Sequence, residues 1–450
     1  MHWLRLLLTA GPDRKRVAIL PLLFNLLASE TTRLTFRTRT STSGLCLAQT
    51  MRYTRAGKRD VIMQSRAAAT YQRAFQFIVL MGIVSLLADM VYEGGRSLSG
   101  QYLALLGASG TIVGLTAGIG ELIGYGLRVV FGYLSDRTRR YWLLTILGYG
   151  MTIIAVPLLA LTNNWPLAVG LLMVERLSKA LRSPAKDTLV SYAAERVGAG
   201  KGFGLHEVLD QVGAIAAPLM LTGVLAFSNS FQLAFGLLII PGVLCMAVLL
   251  TARRQFPQPA DLIGKTPTLS TTGFSRQFWL YMIGVTLFAA ASVDFALAAY
   301  HLQQQRIIAS AAIPALYALA MTVDAVAAFG FGFLYDRIGL YALVGITALA
   351  ALSTPLLFSD GFLMVIIGIV IWGGVLGAQE SILRAAVTRF APLERRGAAY
   401  GLFNAGFGIS WFVGSACFGL LYDISRPALI GVSVVLHLTA ALVLWSVARR

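Results

Sequence analysis

The sequence predicts an all-α polytopic membrane protein, with 12 transmembrane helices arranged as two pseudo-symmetric six-helix halves. Three observations carry this reading. Of the 450 residues, 57% are hydrophobic and only 13% are Asp, Glu, Lys or Arg, about half the charge of an ordinary soluble domain. Apolar runs long enough to cross a bilayer recur from Phe75 to the carboxyl end. A short motif at the end of the second run returns 200 residues later at the end of the eighth. Such a composition excludes a soluble enzyme, a disordered chain and a disulfide scaffold, and makes the lipid bilayer the principal partner of the chain.

Residues 1–66 differ from the rest. They carry 12 Lys or Arg against 3 acids, a net +9 of the chain's +17. Their longest apolar run, Val17–Ala28, is too short to span and contains Pro21. The segment reads as a basic, disordered extension. It is either a cytoplasmic tail or, as we expect, translated upstream sequence with the true start at Met51 or Met63, because Arg66 and Arg73 lead directly into the first span.

The spans are expected near residues 75–95, 109–133, 141–161, 166–184, 205–227, 231–252, 278–301, 312–334, 340–358, 362–383, 398–421 and 428–447. Short loops between them hold most of the remaining basic residues. With the amino terminus inside, the inner loops carry Arg139, Arg140, Arg196, Lys201, Arg253, Arg254, Arg389 and Arg395, whereas the outer loops hold little beyond Arg96, Arg306 and Arg426. This is the distribution of topogenic charge rather than of a nucleic-acid surface, and it puts both termini in the cytoplasm of a cell with an inner membrane. Pro257, Pro259 and Pro267 mark 253–277 as a cytoplasmic linker between halves 75–252 and 278–447.

The repeat supports that division. Gly132-Tyr-Leu-Ser-Asp136-Arg137 closes the second span and Gly332-Phe-Leu-Tyr-Asp336-Arg337 the eighth. Parallel repeats about an axis along the membrane normal are one plan of secondary transporters. Gly132-x-Leu134-x-Asp136-Arg137-x-x-Arg140 resembles the loop motif between helices two and three of the major facilitator superfamily (MFS). The run Glu175-Arg176-Leu-Ser-Lys179-Ala-Leu-Arg182-Ser-Pro184-Ala-Lys186-Asp187 resembles a branch of that superfamily known as permeases or drug-type exporters. The first copy departs from the family pattern at Arg139, where glycine is usual, and the second keeps that residue as Gly339. The resemblance implies the MFS fold, alternating access, and a gating role for Gly132, Asp136, Arg137 and Arg140, with Gly332, Asp336 and Arg337 as the second copy. Asp136 at a helix end suits the amides of another helix's amino terminus, and Arg137 and Arg140 are expected to pair with acids such as Asp187.

Charges inside apolar spans mark the candidate site, because each costs roughly 2.5–3.5 kcal/mol to insert and needs a partner or water. In the first span, Asp89, Glu93 and Arg96 follow one helical face beside Tyr92. The resemblance to proton-coupled members of the superfamily makes Asp89 and Glu93 the proton-coupling candidates, Asp89 first. The second span adds Glu121, Tyr125 and Arg128; the fourth, Glu175, Arg176 and Lys179; the fifth, Asp210, with His206 four residues before it. In the second half, Asp294 and Asp324 have no basic residue in their own spans and need partners from elsewhere, and Glu380 and Arg384 share the tenth. Tyr300, Trp372 and Trp411 are further cavity candidates. Gly110, Gly114 and Gly118 on one face of the second span, with Gly401, Gly406, Gly408, Gly414 and Gly419 in the eleventh, suit close helix contact between halves.

Cys46, Cys245 and Cys417 have no metal-ligand spacing, and no phosphate-binding loop or nucleophile–base pair stands out. The reading is therefore a monomeric transporter of a small-molecule substrate, not an enzyme, with no cofactor and with protons as coupling ion. Efflux by alternating access leads. Uniport or uptake of an organic anion, and a non-transporting sensor or scaffold, are the alternatives.

Overall fold

The computed structural model describes residues 46–257, 273–391 and 395–449, so most of the expected extension and of the central linker lies outside the described residues. The chain divides into two compact units, Met1–Ser65 and Arg66–Arg450. In the first, residues 46–65 are helical; everything below concerns the second.

Helices stand at all 12 expected spans. In the amino-terminal half they are α1 (Tyr71–Leu105), α2 (Gly110–Thr138), α3 (Tyr141–Leu161), α4 (Trp165–Val197), α5 (Gly200–Ser228) and α6 (Phe231–Gln255). The carboxyl-terminal half has α7 (Arg276–Gln304), α8 (Ser310–Ile338), α9 (Leu340–Leu357), α10 (Phe362–Phe390), α11 (Gly397–Ile424) and α12 (Arg426–Ala448). Eleven are long and apolar enough to cross a membrane. The exception is α4, whose Glu175, Arg176, Lys179, Arg182 and Lys186 lower its hydropathy. It nevertheless packs among α2, α3 and α5, with Glu175 and Arg182 buried. Its charges are spent on protein contacts rather than presented to lipid.

Three boundaries differ from the sequence reading. The helix of α1 continues ten residues beyond 95, to Leu105, so Glu93 is buried within a span instead of lying at its edge. Helix α4 continues through Pro184 to Val197, since a proline's missing N–H and ring can be absorbed where neighbouring helices and side chains compensate. Helix α7 is interrupted at residues 292–294. There Asp294 adopts an extended backbone and accepts a hydrogen bond from Ala296 N at 2.8 Å, starting a new segment, Phe295–Gln304.

The cores reveal the arrangement of the halves. One buried cluster lies in the first half (Phe77, Tyr149, Leu189, Leu249), and the buried residues of a second lie in the other (Phe278, Leu343, Val387, Leu444), with Tyr125 of α2 packed against it. Both lie towards the end that carries Asp136 and Asp336. A third cluster, towards the opposite end, is shared: Leu98, Val113, Leu225 and Phe235 pack with Phe295, Ile369 and Phe418. The two halves thus have one core at one end and separate cores at the other.

Candidate functional site

Helix α2 meets α11 along the shared-core end. A Cβ on Gly114 would stand 2.3 Å from Ser415 O, and one on Gly419 would stand 2.6 Å from Gly110 O, so only hydrogen fits on either face. Asp423 at the end of α11 accepts from Gly110 N (2.9 Å), Thr111 N (2.8 Å) and Thr111 Oγ1 (2.6 Å). This carboxylate satisfies orphan donors at the amino terminus of α2. Towards the other end the same two helices diverge: a Cβ added to Gly124, Gly126 or Gly401 would meet nothing within 4 Å.

Between the halves, where they part, is a cavity of about 180 Å³. Its wall includes Asp89, Tyr92, Glu93 and Arg96 of α1, Glu121, Tyr125 and Arg128 of α2, and Arg176 and Lys179 of α4. Asp210 of α5, Asp324 of α8, Glu380 of α10 and Trp411 of α11 complete the predicted residues found on it. Asp294 and Glu175 stand immediately behind the wall, in contact with its arginines.

Close approaches of backbone build this geometry. Gly100 of α1 passes the restarted segment of α7 so tightly that a Cβ would come 1.9 Å from Ala296 O. The carboxylate of Asp294 is thereby brought to Arg96: Oδ1 caps the segment, while Oδ2 accepts from Arg96 Nη2 at 3.1 Å. Similarly, Gly373 and Gly377 of α10 lie against Ala320 and Asp324 of α8. Just beyond them residues Gln379–Leu383 form a π-helical turn, which re-aims Gln379 and Glu380 at the cavity.

The ionisable groups fall into two sets. On the amino-terminal side, Glu121 bridges Arg96 (3.5 Å) and Arg176 (3.2 Å), and Arg176 also pairs with Glu175 (3.5 Å) and donates to Tyr92 Oη. Lys179 stands 3.7 Å above the Tyr92 ring. Asp89 and Asp210 are neighbours, with Lys179 and Arg182 nearby. On the other side, Asp324 accepts from Gln211 Nε2 at 3.3 Å, and Tyr317 donates to Glu93 Oε2 at 2.5 Å across the cavity.

Other expectations are placed differently. Tyr300 is off the wall: its hydroxyl donates to Ala108 O at 3.1 Å in the closed end. Trp372 is also off it, because its indole donates to Val293 O at 2.9 Å and tethers α10 to the break in α7. His206 bonds Ser85 Oγ at 3.0 Å rather than Asp210. The side chain of Arg384 lies outside the described residues.

Gly132, Asp136 and Arg137 of the first motif, and Gly332, Asp336 and Arg337 of the second, lie where the halves are apart. Tyr141 Oη donates to Asp136 Oδ1 at 3.5 Å. Among the described residues neither Arg137 nor Arg140 pairs with Asp187, whose carboxylate is 3.6 Å from Lys186 Nζ. Among the described residues, the ion pairs expected of the motif are thus not formed in this state.

Sequence reasoning missed Gln211, Tyr317, Gln379, Glu207 and Met321 on the wall. Uncharged residues in apolar helices carry no insertion-cost signal, although Glu207 carried one. Among the described residues no group of His, Cys, Asp and Glu is arranged to hold a metal ion.

The comparisons with known proteins agree on one family. The family model of the Major Facilitator Superfamily matches residues 73–415, with a second match at 282–450. An uncharacterised protein of Mycobacterium tuberculosis is 40% identical over 400 residues, 87% of this chain and 98% of its own length. An uncharacterised MFS-type transporter of Methanocaldococcus jannaschii is 25% identical over 357 residues, 77% of this chain and 89% of that one. Among solved structures, a mutant form of the nucleoside transporter NupG superposes with a TM-score of 0.68 at 11% identity, covering 82% of this chain and 99% of its own. At that identity the likeness concerns the fold alone.

Proposed function

The chain belongs to the Major Facilitator Superfamily, and from that membership we propose that it moves a small solute across a membrane by alternating access, exporting it in exchange for protons. The observation that carries the reading is the unequal joining of the halves: one shared core at one end, separate cores at the other, and a charged cavity between. A static scaffold has no use for a buried, charged cavity open at one end. In a rocking pair of halves, this is one of two states. The basic loops orient the open end towards the cytoplasm of a cell with an inner membrane, which makes this the inward-open state of a monomeric carrier.

Proton coupling rests on Asp89 and Asp210. Two neighbouring carboxyl groups inside the bundle cannot both be charged without cost, so a proton on either one relieves their repulsion. A solute that draws Lys179 away, or water entering from the other side, changes the charge that the pair tolerates and releases that proton. Glu93 is the second carrier, tied to Tyr317 across the cavity.

Everted vesicles carrying the full chain test this. They are energised and then challenged with lipophilic cations, sugars and organic anions while a pH-sensitive dye is followed. The reading expects a compound that dissipates the proton gradient with wild-type protein and not with Asp89→Asn. Undiminished dissipation by Asp89→Asn contradicts the role of Asp89.

A further inference from the structure

The closed, shared-core end is held on the carboxyl-terminal side by α11 and by the restarted segment of α7. His301 lies in the last turn of that segment and is 0% exposed. Its Nδ1 shares a 3.0 Å hydrogen bond with the hydroxyl of Tyr422 of α11, and its ring packs on Phe358 with 5.0 Å between centroids. Its Nε2 is buried and has no hydrogen-bond partner among the described residues. A buried polar atom left without a partner costs stability, and water reaching this end would remove the cost.

Tyr422 carries the position of this histidine to the seam between the halves. Its ring rests on the start of α2, where a Cβ on Gly110 would stand 2.7 Å from Tyr422 Cδ1. The next residue, Asp423, is the carboxylate that accepts from Gly110 N, Thr111 N and Thr111 Oγ1. Tyr300, the neighbour of His301, meets the Tyr422 ring at 5.4 Å and donates to Ala108 O of the other half. Residues 300, 301, 422 and 423 thus form one surface, and the start of α2 closes on it.

The charged groups facing His301 are Arg426 of α12 and Asp360 between α9 and α10. These two pair with each other at 4.0 Å, and among the described residues no carboxylate lies within 4.0 Å of the imidazole. The remaining titratable neighbours, Tyr300 and Tyr422, are phenols. A proton added to the ring therefore meets no counter-ion in contact, and leaves both ring nitrogens as donors with an acceptor for only one. With this end open, water supplies the second acceptor and solvates the charge. Proton uptake and opening then favour each other.

We infer that His301 is a proton-operated latch on the closed end: neutral, it holds Tyr422 against α2, and protonated, it lets that end open. The inference rests on the transport reading and adds what opens this end. With the end facing away from the cytoplasm, acid outside opens the carrier to the side from which protons enter.

Spin labels at Leu105 and Arg306, both exposed, in the cysteine-free full chain in detergent test this. The readout is the ratio of molecules with a long 105–306 distance to those with a short one. With His301 in place, the ratio should rise about tenfold from pH 8 to pH 5, as for one group whose proton affinity differs tenfold between the two forms. His301→Gln, neutral throughout, should keep the pH 8 ratio down to pH 5. His301→Lys, charged throughout, should show the raised ratio already at pH 8, and Tyr422→Phe, which breaks the tie without adding charge, should raise it too. Melting of each variant confirms that it is folded. A ratio independent of pH with His301 in place overturns the inference. An acid response retained in folded His301→Gln also overturns it and assigns the response to the cavity carboxylates. An unchanged pH 8 ratio in folded His301→Lys or Tyr422→Phe overturns it as well. The transport reading fails separately: labels at Thr138 and Ile338 that show no closing while the 105–306 end opens would contradict alternating access and leave the latch standing.

Discussion

At the scale of single residues, the molecule is organised by charges that share partners. Asp294 ends a break in α7, caps the next segment and pairs with Arg96, which lies 198 positions earlier. That Asp294 needed a partner from another helix was legible, because its own span holds no basic residue. That the partner is Arg96 was not, because the contact is made only when α1 and α7 pack. Removing one member of a buried pair leaves an uncompensated charge, at a cost of about 3–5 kcal/mol. Arg96→Gln and Asp294→Asn should therefore each lower the melting temperature in detergent, and the double variant should recover part of the loss. Additive losses would show that the pair is not coupled. Asp89, Glu93, Arg176 and Lys179 were visible as charges in apolar runs; Gln211 and Tyr317 were not, since amides and phenols occur in such runs for many reasons.

At the scale of elements, hydropathy placed the helices, and the repeated Gly-x-x-x-Asp-Arg motif pointed to two halves. It could not show where helices deform. Residues 292–294 of α7 contain no glycine or proline to announce a break, and the π-helical turn at 379–383 follows from packing against α8 rather than from composition. The glycine faces of α2 and α11 were legible as contact surfaces, but which end they close was not. The closed end should respond to two substitutions. Gly114→Ala puts a methyl group where Ser415 O stands 2.3 Å away. Asp423→Asn removes the charge from three hydrogen bonds at the start of α2, a loss of roughly 1.5–3 kcal/mol. Both should favour opening at that end, read as faster alkylation of a single cysteine placed at Leu106 in a cysteine-free background. Unchanged alkylation would mean that α2–α11 contact does not hold the end shut.

At the scale of the whole chain from Arg66 onward, the shared core, the interhalf bonds Arg96–Asp294 and Glu93–Tyr317, and the Asp423 cap all lie on one side of the cavity. The Asp136 and Asp336 motifs lie on the other, with no ion pair across the halves among the described residues. A carrier must exchange one set of contacts for the other. The most direct measurement is of distances at both ends in one preparation, with Cys46, Cys245 and Cys417 replaced and spin-label pairs at Leu105 with Arg306, and at Thr138 with Ile338, all four exposed. Between acid and alkaline pH the account predicts reciprocal shifts: the 105–306 distance lengthens in the same fraction of molecules in which the 138–338 distance shortens. A single unchanging distance at each end under all conditions, or both ends opening together, would contradict alternating access and leave a fixed scaffold as the better description.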